Sequence, residues 1–391
     1  MACGYISSNN NRLYVGLESN YGQVPAIQSG NRIPAVKLTA RQQTLRPERK
    51  DKTGTRTFGG TPAGLRKSTT FDLTSYMTSW DTPNTEPVYG PLFRASLGAG
   101  PAYFAGGTAA TNANTRLLSF AAAHSLSPGQ AVTFGSELRF VSAVVDPMTV
   151  ALSSPFTVTP TTGSPIGATV TYQPATGLAS VSIFDYWCPG AAVQRVLCGA
   201  AVDQMTVNVN GDYHEFEFNG IAADVIDSSS FTAQQGGLAS FPTEPTLEPY
   251  NYSIIPGHLG QAWLGTGPDQ FFTVTAAKVT LQNALDKRER EFGTDIPRCL
   301  APGMRTVQAD IELFETNDDA TRALYQAARQ SSPIAVILQL GQQPGQLAGV
   351  YLKSVVPEVP QFDDSQTRLQ WKLSGCRAQG TGNDEMYVAF G

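Results

Sequence analysis

Two stretches of the chain, more than a hundred residues apart, close with the same pattern: Phe216-x-Phe218-x-Gly220 and Trp371-x-Leu373-x-Gly375. A pattern that returns at long range commits a chain to building one unit twice, so the repeat limits the fold more than composition does. Upstream of the first stretch, Met205, Val207 and Val209 alternate with Thr206 and Asn208 and run into Asn210-Gly211, the dipeptide of a two-residue hairpin turn. Beyond the turn His214, Phe216 and Phe218 alternate with Glu215 and Glu217. A two-residue loop sets Val207 opposite His214 and Met205 opposite Phe216. His214 is then a packed-face residue and the two glutamates point away from it, so the three do not converge on a metal. The zincin spacing is also broken, because Phe218 stands where a second histidine is required.

The copies extend upstream. FDL (Phe71 to Leu73) aligns with IEL (Ile311 to Leu313), and VKL (Val36 to Leu38) with VTL (Val279 to Leu281). Between each pair lies a charged loop, RPERKDK (Arg46 to Lys52) in the first copy and DKRERE (Asp286 to Glu291) in the second. A helix follows each second strand. One has Pro91 at its first turn and Gly98 as its stop, and the other has Asn317 as N-cap with the stripe Ala320, Ala323, Leu324 and Ala327. The first copy is interrupted by a Gly-, Thr- and Ala-rich stretch with period-2 alternation in ELRFVSAVV and MTVALSSPFTV, read as a small β-domain on the outside of the first copy, needed neither by the fold nor by its assembly.

The resulting expectation is a mainly β chain: tandem antiparallel β-sandwich or half-barrel domains, each with one flanking helix, plus a small inserted β-domain. The first domain comprises 1–99 with 176–226, the insertion 100–175, a Pro/Gly/Ser-rich linker 227–267, and the second domain 268–391. Such units have open sheet edges, which assembly into a closed ring would hide.

Composition removes several classes. Charged residues are only 15% of the chain, no apolar run is long enough to span a bilayer, and MACGYISSNNNR lacks a signal core, which leads to the expectation of a soluble product of the cytoplasm. The five cysteines form no CxxC pair and read as reduced packing residues. No P-loop, nucleophile elbow or His cluster is present, and no catalytic residue, cofactor or metal ligand is assigned. Charge is uneven. Residues 1–70 hold eleven Lys/Arg against three Asp/Glu, whereas Val196 to Ala277 contains nine acids and no Lys or Arg, a separation suited to self-association.

With RLYVGLESNYGQVPA near the start, and Gly16, Glu18, Ser19, Tyr21 and Gly22 in a G-x-E-S-x-Y-G segment, this order of elements resembles the major tail tube proteins of long-tailed bacteriophages. The resemblance implies a virion protein of the tail, made in the host cytoplasm. It implies trimeric rings of pseudo-sixfold symmetry stacked head to tail, with other tail proteins such as the terminator and the distal tail protein as partners. DNA would pass through the lumen without specific binding, no membrane would be involved, and the insertion would be a decoration outside the tube. Arg46, Arg49, Lys50, Lys52 and Arg56, with Lys287, Arg288 and Arg290 in the second loop, are the candidate inter-ring contacts. The competing readings are a glycosidase-like enzyme and a carbohydrate-binding or adhesive β-sandwich using Trp80, Tyr89 and Trp187.

Overall fold

In a computed structural model, which describes residues 5–391 except 47–49, 61–64, 81–84, 111–114, 188–192, 248–251, 268 and 289–290, the chain is mainly antiparallel β. The first unit begins with β1 (Asn11–Leu17), β2 (Ala35–Thr44), β3 (Lys67–Tyr76) and α1 (Gly90–Leu97). Short strands follow: β4 (Ala102–Phe104), β5 (Gly107–Thr108), β6 (Leu117–Ser119), β7 (Ala131–Phe134), β8 (Glu137–Asp146), β9 (Thr149–Leu152), β10 (Pro165–Ile166) and β11 (Thr169–Tyr172). The first unit resumes with β12 (Val181–Trp187), β13 (Arg195–Val209), β14 (Glu215–Ala222) and β15 (Asp224–Asp227). The second contains β16 (Gly260–Gly265), β17 (Asp269–Gln270), β18 (Val274–Gln282), β19 (Thr306–Phe314), α2 (Asp319–Arg329), β20 (Ile334–Leu340), β21 (Ala348–Val356), β22 (Gln361–Asp363), β23 (Gln370–Ala378) and β24 (Tyr387–Phe390).

The pairings repeat. In the first unit β1–β12–β13–β15 forms an outer sheet and β13–β14–β3–β2 an inner one, with the long β13 bending through both. In the second, β16–β20–β21–β24 and β23–β19–β18 stand in the same relations. Apolar side chains of both sheets and the helix meet between them: Leu73, Phe93, Phe216 and Phe218 in one unit, Ile311, Leu324, Trp371 and Leu373 in the other, within one continuous buried cluster.

Register refines the sequence alignment. Leu73 lies between Leu38 and Phe218, and Ile311 lies between Ala277 and Leu373. Leu73 therefore corresponds to Ile311 and Leu38 to Ala277, so FDL/IEL and VKL/VTL were each aligned an even number of residues out. The hairpin is displaced the same way. Val207 faces Phe216 and Met205 faces Phe218, so the turn is longer than two residues, with Asn210 at φ 67°. Slips by an even number keep every side chain on its own face, which is why alternation alone does not detect them. Asp318, not Asn317, caps α2, its carboxylate accepting from the Thr321 N–H at 2.7 Å.

β16 lies inside the stretch expected to be linker, yet it pairs with β20 as β1 pairs with β12. The signal was in the sequence: RLYVGL (12–17) and QAWLGT (261–266) share an aromatic residue two positions before a glycine. The Glu18 carboxylate of the G-x-E-S-x-Y-G segment is buried and holds the first unit's entry loop. It accepts from the hydroxyls of Ser180 and Ser182 at 2.6 Å each, and from the N–H groups of Gly22 and Gly199 at 2.8 Å each.

The two outer sheets present matched apolar faces, with Tyr14, Phe184, Val196 and Ile226 in register with Trp263, Ile337, Tyr351 and Tyr387. The chain covers them differently. Val24, Ile27, Phe231, Leu238 and Phe241 pack on the first face, whereas Ala131, Leu138 and Phe140 of the insertion pack on the second. The insertion, expected as a domain on the outside of the first copy, thus packs against the second unit. Its β11 also pairs with β24 and β4 and so extends the second unit's sheet. At the centre of the contact Arg139 is fully buried, its guanidinium 3.8 Å from the Trp263 ring centre. It donates to Glu137 at 3.0 Å, to Pro155 O at 3.0 Å and to Leu138 O at 2.9 Å. Burial pulls its pKa down to about 10, with the Glu137 charge acting in the opposite direction.

Candidate assembly surfaces

The two units are joined by main chain. Residues 204–209 of β13 pair with 277–282 of β18, so the inner sheets of both units run on as β2–β3–β14–β13–β18–β19–β23–β22. Its ends are open. β2 pairs with β3 alone, and β22 with β23 alone, among the described residues. β18 is the counterpart of β2, and its Ala277, Val279 and Leu281 are buried. On β2 the corresponding Leu38 and Ala40 are only partly covered and Val36 is exposed. An uncovered edge with half-covered apolar side chains is the condition that soluble sheets avoid unless another chain completes them.

The joint is reinforced by the β13–β14 turn, whose Val209, Asn210 and His214 wall one side of a cavity of about 270 Å³ against Gly260, Gln261 and Gln270. The His214 N–H donates to Ile255 O at 3.1 Å and its ring Nε2 lies 2.7 Å from Leu259 O, a carbonyl, which fixes Nε2 as the protonated nitrogen. Gly257 donates to Asp212 O at 3.1 Å, and a Cβ on Gly257 would sit 2.1 Å from Gly211 O. The turn is packed backbone to backbone. Burial lowers the His214 pKa from its ordinary 6.5, with a smaller contribution in the same direction from His258.

Below pH about 6.5 the unfolded chain takes up a proton that the folded joint resists, so stability is lost as pH falls and is unaffected above that value. We expect His214→Leu, which places at this site the residue found at its counterpart Leu369, to fold and to lose this part of the acid sensitivity. Denaturant midpoints at about pH 5 and pH 7.5 check it. An unchanged pH dependence in the variant would contradict the assignment.

The sheet face turned away from the core is polar. Asp72, Glu215, Glu217, Asp310 and Glu312 are interleaved there with Lys37, Arg41, Lys278 and Lys372. Burial, then the Glu217 and Asp212 charges, raises the Glu215 pKa. The mixture leaves no basic track for phosphates to follow.

The charged loops 45–66 and 283–305 meet. Arg66 donates to Glu291 O at 3.2 Å and the Lys67 N–H to Asp295 O at 2.9 Å. Arg46, Lys50, Lys52, Arg56, Lys287 and Arg288 are all exposed on these loops, and Arg49 and Arg290 lie outside the described residues. Arg288 is engaged by Glu291 at 2.6 Å. Charge reading missed the apolar partners of this surface: Phe58, Phe292 and Met304 are 69%, 99% and 84% exposed. Of the aromatics considered for sugar binding, Trp80 and Tyr89 are buried and Trp187 is half-buried. Among the described residues no group of three or more His, Cys, Asp or Glu side chains is placed to hold a metal ion, and no helix is long and apolar enough to cross a membrane. No family model and no curated protein matches the chain.

Proposed function

We propose that the chain is a structural protein that associates head to tail with copies of itself into rings, and that these rings stack as the tail tube of a long-tailed phage. One observation carries the reading. The chain contains the β13–β18 joint between two like units, and it ends in an open β2 and an open β22, the counterparts of the strands so joined. A heterologous contact of this kind closes into a ring when its rotation allows, and three chains of two units give six around an axis. The polar, mixed-charge inner face suits a wall along which DNA slides, and the paired loops, with their cations and exposed Phe292 and Met304, suit contact with the next ring. The terminator and distal tail protein would then cap the two ends. Electron micrographs of the purified protein at rising concentration test this: hollow tubes of constant width are expected, and protein that stays monomeric throughout would overturn it.

A further inference from the structure

We propose that the first unit carries an open seat for the β22–β23 turn of a second copy of this chain, and that this turn docks as the β13–β14 turn docks within the chain. The proposal rests on the ring reading above and specifies its joint. Two cavities stand in matching register. Tyr14 faces Phe184 as Trp263 faces Ile337, which puts Arg12 in the place of Gln261 and Leu13 in that of Ala262. The Ile33 N–H donates to Leu13 O at 3.0 Å as the Phe271 N–H donates to Ala262 O at 2.9 Å, which puts Arg32 in the place of Gln270. The second unit's cavity, about 270 Å³, is lined by Val209, Asn210 and His214 of the docked turn. Its counterpart in the first unit, about 440 Å³, is lined by no such turn among the described residues.

The missing insert is identified in the same way. Val207 faces Phe216 as Phe362 faces Trp371, and Met77 and Glu315 donate N–H bonds of 2.9 Å to the carbonyls of His214 and Leu369. Asp363 to Leu369 is therefore the counterpart of Asn208 to His214. His214 is fully buried, whereas Leu369 is 37% exposed, as expected of a residue whose seat is on another molecule. The segment lies at the far end of the inner sheet from its own chain's open seat.

Charge selects the partner. Inside the chain the joint sets Asn208 opposite the single cation Lys278 and Val209 opposite Ala277, with the neutral Gln261 and Gln270 lining the seat beside Val209. Between chains it would set Asp363 and Asp364 against Arg12, Arg32, Lys37 and Arg195. Arg12 and Arg195 also hold Glu244 and Asp185, so the incoming carboxylates extend an existing network. Transfer of the β13–β18 register places Gln361 opposite Arg41, Phe362 opposite Ala40 and Asp363 opposite Thr39, with Lys37 and Arg41 diagonal to Asp363.

The double variant Arg41→Cys/Gln361→Cys tests the register. Oxidation of assembled protein should give covalent dimers and closed rings, and each single variant should give neither beyond the background of the native cysteines. Lys37→Glu/Arg41→Glu should weaken association by about tenfold per joint, and adding Asp363→Lys/Asp364→Lys should restore it, read by sedimentation. Tubes that form without the cross-link would overturn this joint and leave the tube reading standing, whereas failure of the native protein to associate at all would overturn the tube reading and the joint with it.

Discussion

Alanine in place of Arg139 is expected to lower folding stability by about 3–5 kcal/mol, the largest effect of any single substitution considered. The guanidinium is the only counter-charge within reach of the Glu137 carboxylate among the described ion pairs, and both side chains are almost entirely out of water. Removing it strands that carboxylate and leaves the Gln339 and Leu138 oxygens with one donor fewer, while Trp263 loses the cation over its face. Arg139→Met should be milder when combined with Glu137→Gln, because packing is then kept and no buried charge is left. Chemical unfolding of the three proteins decides the matter. Equal losses for the alanine and the combined variants would contradict this, showing that neither the stranded charge nor the lost packing sets the value but the guanidinium's own hydrogen bonds and its contact with Trp263, which both variants lack.

Deletion of residues 100–175 is expected to do more. It uncovers Trp263, Ile337, Tyr351 and Tyr387 and takes β11 from the edge of β24, so the second unit would present an apolar face and a free strand together. At about 1.5–3 kcal/mol for each large side chain returned to water, the loss rivals the whole stability of a domain. The deleted protein should be recovered as aggregate or should bind a hydrophobic dye strongly. A soluble, cooperatively unfolding deletion variant would show that the insertion is a separate decoration, as its composition suggests. Its glycine- and threonine-rich sequence gives no sign that it covers a distant face, because the complementary residues lie in β16, β20, β21 and β24.

That contrast separates what the chain's own pattern makes legible from what only the fold reveals. The tandem plan was readable because Phe216-x-Phe218 and Trp371-x-Leu373 repeat a period-2 face, and periodicity follows directly from burial. Register was not, since displacements by an even number of residues leave the same residues inside. The joint was missed for a related reason. β13 is simply a long alternating strand in sequence, and nothing local shows that its second half pairs with β18 or that its turn is seated at Gly257. His214 is a case in which pattern sufficed for the face and failed for the partner. Alternation put it inside, yet it lies against the Ile255 and Leu259 carbonyls of the segment leading into β16 and not opposite Val207. In the loops, charge drew attention to Arg46, Lys50, Lys52 and Arg56 but not to Phe292 and Met304, because single apolar residues in a polar stretch carry no periodic signal.

In the proposed ring, the internal joint between the two units is the template for the joint between chains. The most direct measurement of it is the mass of the smallest closed assembly, taken together with its end-on image. Three chains per ring, with six lobes around the axis, is the predicted result, since each chain contributes both of its units to the wall. Six chains per ring would contradict the claim, because only one unit of each chain would then line the wall and the open β2 and β22 edges would have no shared role.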